Sequence, residues 1–332
     1  MTAIRRALLT GMMVVVLTGA AVPGAHAGTI AASATTITFS AGGGEDNTVV
    51  ASLAGGVLTV TDVGGGNITD GDGAAGCSTV GSTATCTATA TAIFDLASKN
   101  DTIDLSGISA GGQITSTQTT MGPGQDTFTG SAVKDTVTGE GGDDVMTGGA
   151  GSDTFLEGAT TSGADTFNGG TGTDTVSYAS RSAAITLDID GVADDGASGE
   201  TDNAKTDVEN ITGGTGADTL TASAAANKLV GGAGNDVLRG SGGTDTIYGG
   251  AGNDLVYGGS GADRVKGDSG NDKVYGNSGK DRMYGGSGAD RLVDKDRVGG
   301  TKLYCGTGRD TAIANRRDST SKCETRKLGR RT

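Results

Sequence analysis

Gly231-Gly232-Ala233-Gly234-Asn235-Asp236-Val237-Leu238-Arg239 is a unit of nine residues that returns without a gap on either side. Units begin at Gly213, Ala222, Gly231, Gly240, Gly249, Gly258, Gly267, Gly276 and Gly285. The sixth position reads Asp218, Asn227, Asp236, Asp245, Asp254, Asp263, Asp272, Asp281 and Asp290. The eighth is always aliphatic or Met, from Leu220 and Leu229 to Met283 and Leu292. Glycine tolerates positive φ, so the first six residues can turn tightly and leave carbonyl oxygens free of side chains. The last three make a short strand whose middle residue points inward.

Outward from this block the rule loosens. An earlier block carries its acids at Asp126, Asp135, Asp144 and Asp153, then, after a three-residue insertion, at Asp165 and Asp174. A divergent last unit runs from Cys305 to Ile313 with Asp310 in the acidic position. Between the blocks, residues 178–212 break the register and read as an inserted loop. Its acid-rich stretch Asp188 to Glu200 lacks EF-hand spacing, so no separate calcium site is assigned to it. Residues 28–120 lack the full repeat but alternate in places, as in Val57 to Val60. Asn100-Asp101-Thr102-Ile103 copies the middle of a unit there. The chain thus divides into 1–27, 28–120, a first block over 121–177, the insert, a second block over 213–313 and a tail over 314–332.

These residues fit the pattern GGxGxDxUx, and the chain resembles the hemolysin-type, or RTX, calcium-binding repeat family. The resemblance covers residues 121–313 apart from the insert. It implies an all-β fold: a parallel β-roll, or β-solenoid, with a short β-rich N-terminal cap. Two units complete one coil, and units i and i+2 stack about 4.8 Å apart. It implies Ca²⁺, several ions, as the cofactor. The ligands would be Asp126, Asp135, Asp144, Asp153, Asp165, Asp174, Asp218, Asp236, Asp245, Asp254, Asp263, Asp272, Asp281, Asp290 and Asp310. Neighbouring carboxylates about 5 Å apart repel by roughly 0.8 kcal/mol in water, and by more where water is excluded. A hard cation taking six to eight oxygens relieves this, whereas Mg²⁺ demands tighter octahedral geometry. The mature chain is therefore expected to fold on binding calcium. Asn227 carries no charge and is expected to make a weaker site.

Composition narrows the function. Glycine supplies 63 of 332 residues, with two prolines, no tryptophan and 3% aromatic residues, which excludes collagen and a large conventional core. Arg5 and Arg6, an apolar stretch from Ala7 to Val22 and the small-residue site Ala25-His26-Ala27 read as a secretory signal cleaved after Ala27. The stretch is shorter than the roughly 20 residues of a membrane span. Sec and twin-arginine export both remain open. Cleavage removes the single histidine, and with it the usual base of hydrolases. Four cysteines in an exported chain point to disulfides, paired locally as Cys77 with Cys86 and Cys305 with Cys323, rather than to zinc, since CxxC spacing is absent.

A net charge of −14 disfavours nucleic acid and favours cations. The tail has seven basic and two acidic residues and reads as a solvated terminus tied by Cys323. Tyr248, Tyr257, Tyr275 and Tyr284 alternate with Arg264, Lys273, Arg282 and Arg291 on the outward face. That pattern suits a solvated sheet better than a glycan or cell-surface polymer. No GxSxG, HExxH or P-loop is present. The sequence therefore reads as a secreted, extracellular, calcium-dependent binding or structural protein, not an enzyme. A secreted carbohydrate-modifying or hydrolytic enzyme is the alternative.

Overall fold

The computed structural model describes residues 29–32, 36–41, 46–63, 69–70, 77–87, 91–296 and 299–328. The expected leader, with Arg5, Arg6 and His26, lies outside the described residues. Among these, every regular element is a strand, so no helix is long and apolar enough to cross a membrane.

The nine-residue period becomes two faces of one parallel coil. On one face Lys228–Ala233 pairs with Thr246–Ala251, then Arg264–Ser269, then Arg282–Ser287. On the other, Val237–Arg239 pairs with Leu255–Gly261, then Lys273–Gly279, then Arg291–Val293. Partners in these ladders are 18 residues apart, as in Leu229 to Ile247 to Val265, so two units make one coil. The eighth-position side chains Leu238, Ile247, Val256, Val265, Val274 and Met283 are fully buried between the faces. The core is narrow because each strand contributes one inward residue. The first block fills the same space with larger groups, among them Phe155 and Phe167, whose rings lie 5.7 Å apart.

One face is a continuous 15-stranded sheet reaching from the N-terminal region to the tail. The other is divided into two nine-stranded sheets, and the division falls at residues 178–212. The N-terminal region caps the coil as expected. Thr36–Ser40 and Thr48–Ala54 extend the two parallel faces, and antiparallel partners then end the stacking. Gly55 and Gly56, both at positive φ, make the two-residue turn between Thr48–Ala54 and Val57–Asp62.

The stretch expected as an inserted loop is different in kind. Asn203–Ala204 pairs with Thr166–Gly172 and completes the first sheet, while Asn210–Thr212 sits between Thr175–Ser177 and Lys228–Ala233. Yet Ile185–Asp188, earlier in the chain, already lies against Thr219–Thr221 of the second block. The chain therefore runs forward to the second block, returns to finish the first, and then advances again. Asp195 joins the two ends of this excursion, its Oδ1 accepting from Asp188 N–H at 2.7 Å and its Oδ2 from Ala204 N–H at 2.9 Å. The register is lost in sequence because one coil has been lengthened, not because the coil stops.

The tail also departs from a simple solvated terminus. Ser319–Ser321 and Thr325–Leu328 add a last rung to each face. Thr325–Leu328 is exposed along its length, the edge rung of its sheet among the described residues. Cys305 is bonded to Cys323 and Cys77 to Cys86, the pairing expected from the sequence.

Candidate metal centre

Two rows of carboxylates run along the coil, one before each face. In the first row Asp218, Asp236, Asp254, Asp272, Asp290 and Asp310 succeed one another, and in the second Asp245, Asp263 and Asp281 do so. Each backbone N–H donates to Oδ1 of the acid one coil on. Asp236 to Asp254, Asp254 to Asp272 and Asp272 to Asp290 span 2.9, 2.9 and 3.0 Å, and Asp245 to Asp263 spans 2.9 Å. The first block repeats the arrangement through Asp126 to Asp144 and Asp135 to Asp153.

This bond uses one oxygen of each carboxylate and fixes where the other points. Oδ2 faces the glycine at the first position of its own unit. A Cβ on Gly258 would lie 2.8 Å from Asp263 Oδ2, and one on Gly276 would lie 2.5 Å from Asp281 Oδ2. Glycine is thus required there by space rather than by φ. At the second position the need is conformational as well. Gly250 has φ of +112°, and a Cβ there would overlap the carbonyl oxygen of Gly232 one coil back. Glycine carbonyls are left bare beside the carboxylates for the same reason.

Of the fifteen expected ligands, all are buried, and thirteen have an Oδ2 with no hydrogen-bond partner. The exceptions are Asp135, whose Oδ2 accepts from Ser131 N–H at 2.7 Å, and Asp218, whose Oδ2 accepts from Gly214 N–H at 2.8 Å. A buried unpaired carboxylate oxygen is costly. Burial pushes the carboxyl groups of Asp236, Asp245, Asp272 and Asp281 up to about 7, against their hydrogen bonds, and like charges in the row add to the rise. Hard anionic oxygens, left unpaired beside bare carbonyls, fit Ca²⁺. Aspartates at this position would hold such an ion and neutralise the row.

Asn227 behaves differently from an aspartate and shows why. Its Nδ2 donates to the carbonyl of Glu209 at 2.7 Å, and its Oδ1 pairs with Ser223 Oγ at 3.1 Å. The first position of that unit is Ala222, so a methyl group fills the space that glycine leaves open elsewhere. The Ala222–Asn227 unit therefore satisfies itself with neutral groups.

The rows also contain residues that stand outside the two repeat blocks or outside their nine-residue count. Asp101 N–H donates to Asp126 Oδ1 and Asn47 N–H to Asp101 Oδ1, both at 2.6 Å, which extends the first row into the cap. Asp165 N–H donates to Asp202 Oδ1 at 2.9 Å, where the first row ends before restarting at Asp218, and Asp174 N–H donates to Glu209 Oε2 at 2.7 Å, which carries the second row across the insert. Thr301 and Glu324 take the same place near the C-terminus. All but Glu324, which precedes the exposed Arg326, share one signal: an acid or hydroxyl two residues before an inward apolar residue, as in Asp202-Asn203-Ala204 and Glu209-Asn210-Ile211.

The outward tyrosines stack on one another. Tyr257 and Tyr275 have ring centroids 4.9 Å apart, as do Tyr284 and Tyr304. Arg239, Arg264 and Lys266 lie over the rings of Tyr257, Tyr284 and Tyr248. These side chains engage each other across rungs, as residues of a solvated sheet do.

The family model for the RTX calcium-binding nonapeptide repeat, present in four-copy units, matches residues 122–155, 159–179, 205–238, 222–256, 230–265 and 257–292. A search of curated proteins finds no match. The matched segments are the two blocks whose turns build the carboxylate rows, and the 205–238 match includes the rung that the insert supplies. With its repeats, its all-strand coil and its rows of inward acids in agreement, this chain carries the hemolysin-type RTX calcium-binding nonapeptide repeat in several copies.

Proposed function

We propose that the chain acts outside the cell as a non-catalytic scaffold that calcium folds, with the sixth-position aspartates as its carboxylate ligands. The observation that carries this reading is the pair of buried rows in which Oδ2 after Oδ2 lacks a partner. A narrow core of one inward residue per strand offers little to offset such a penalty, so an ion that binds the coil and not the unfolded chain shifts the equilibrium strongly. Two disulfides support an oxidising compartment, and the expected leader gives the route to it. The stacked outward tyrosines support a structural face rather than a glycan site.

Far-UV circular dichroism of the chain from Gly28 onward, first in EGTA and then in millimolar Ca²⁺, tests the central claim. The strand signal is expected to appear only with calcium. A strand-rich spectrum in EGTA that calcium leaves unchanged would overturn it. Sequencing the N-terminus of exported protein tests the location, with Gly28 the expected first residue.

A further inference from the structure

Where the first block meets the excursion, a carboxyl cluster forms that the repeat pattern does not describe. Glu157 N–H donates to Ser177 O at 2.9 Å, the ladder bond that Gly213 and Gly240 make to Val230 and Tyr257 in the second block. Glu157 therefore stands at the first position of its unit, where most units have a glycine facing the acid. Its side chain enters that space and meets Asp165, while Asp202 arrives from the excursion. One carboxylate oxygen from each of Glu157, Asp165 and Asp202 lies within 4.8 Å of the others.

The neighbours account for some of this charge and leave the rest. Arg181, 1% exposed, donates through Nη1 to Glu200 Oε1 at 2.7 Å and through Nη2 to Glu157 Oε2 at 3.0 Å. Its Nε donates to Gly158 O at 2.6 Å. Ser162 Oγ adds a bond to Glu157 Oε2, and the Tyr178 hydroxyl donates to Asp202 Oδ2. The guanidinium thus pairs with two of the four carboxyl groups gathered here, Glu157 and Glu200. Glu157 Oε1 and Asp165 Oδ2 remain without partners although their residues are only 3% and 1% exposed. A cleft lined by Ser162, Gly163, Ser198 and Glu200 opens beside the cluster and offers an entry path.

We propose that Glu157, Asp165 and Asp202 bind a calcium ion of their own, distinct from the glycine-carbonyl sites of the rows, and that this ion ties the excursion to the first block. Oxygens 2.3–2.6 Å from one ion can lie up to about 5 Å apart, which the cluster satisfies. Three carboxylates exceed what one aspartate per rung supplies, and affinity at oxygen sites rises with ligand charge and rigidity. The site therefore fills before the rows. Arg181 neutralises the outer carboxylate, Glu200, and holds Glu157 by one oxygen so that the other turns inward.

The proposal rests on the calcium reading of the chain but fails separately from it. Calorimetric titration of calcium into the full chain is compared with Glu157→Gln, with folding of each checked by circular dichroism at saturating calcium. A folded variant that loses the tightest phase and one equivalent of calcium, while keeping the rest, supports the site. A folded variant with unchanged stoichiometry and tightest phase overturns it and leaves the rows untouched. Wild type that binds no calcium overturns the reading of the rows as well. Should Glu157→Gln not fold, Tb³⁺ is titrated into wild type and Tyr178→Phe with excitation of tyrosine. Loss of sensitised emission at the first equivalent in Tyr178→Phe supports the site; emission equal to wild type there overturns it.

Discussion

In the second block, Asp236, Asp254 and Asp272 each face a glycine, and their Oδ2 atoms have no hydrogen-bond partner. At the junction, Asp165 faces Glu157, and a guanidinium, a hydroxyl and a phenol are folded in around the acids. The first arrangement is cheap to repeat, because it asks for one aspartate and up to three glycines in nine residues, but it leaves each rung dependent on a cation. The second is partly neutralised by its own arginine and cannot be repeated, because its parts come from four separate stretches of chain. One coil geometry therefore supports both a periodic site and a singular one.

Arg181→Met should give the largest effect in breaking this contrast. Removing one partner of a buried ion network leaves carboxylates uncompensated and costs about 3–5 kcal/mol. Urea denaturation in saturating calcium measures it, and a loss under about 1 kcal/mol would mean that the junction is not held by this arginine. Gly250→Ala is the corresponding change in the second block. It places a Cβ at φ of +112° against the Gly232 carbonyl, for about 1–3 kcal/mol. The same denaturation series reads it, with Ala251→Gly at the exposed end of the same strand as the control expected to shift less.

Acidity sharpens the comparison with a smaller, partial effect. The Asp236, Asp245 and Asp272 carboxyl groups, held up to about 7 in the calcium-free coil, have an ordinary value of 3.8. The folded coil therefore binds protons that the unfolded chain has released. That contribution is complete below about 4 and is lost as pH rises through about 7. Calcium-free protein should thus gain strand signal as pH falls from 8 to 4, while calcium affinity weakens over the same range because protons compete for the row. Glu200 runs the other way. Backbone N–H groups and Arg181 hold its carboxyl below 4.5 despite burial, so its contribution is present at neutral pH and is lost on acidification. Circular dichroism in calcium-depleted buffer across this range checks the first sign; a strand signal that fell steadily toward pH 4 would contradict it.

The period made the rungs, the buried eighth position and the fifteen aspartates legible, because stacking by 18 residues forces chemically equivalent positions into register. It marked Asp101 only as the copied middle of a unit and could not reveal Asp202, Glu209, Thr301 or Glu324. These occupy the same rows, but their partners lie 25, 37, 35, 20 and 14 residues away. A lengthened coil keeps its place in space while losing its place in the count. Residues 178–212 look like a loop for that reason, although three of their strands pair in parallel as rungs. The tail looks like a solvated terminus because its charges dominate its composition, although Thr325–Leu328 pairs through backbone groups that composition does not report.

The sequence alone determined that this chain coils, which residues face inward and that its acids stand in rows, because each property is local and repeats every nine residues. Only the tertiary structure decided which oxygen of each carboxylate is left unpaired, since that depends on a hydrogen bond from the neighbouring coil. It also decided that Glu157, Arg181, Glu200 and Asp202 meet. Their meeting follows from the path of the chain forward to the second block and back, which no spacing in the sequence encodes.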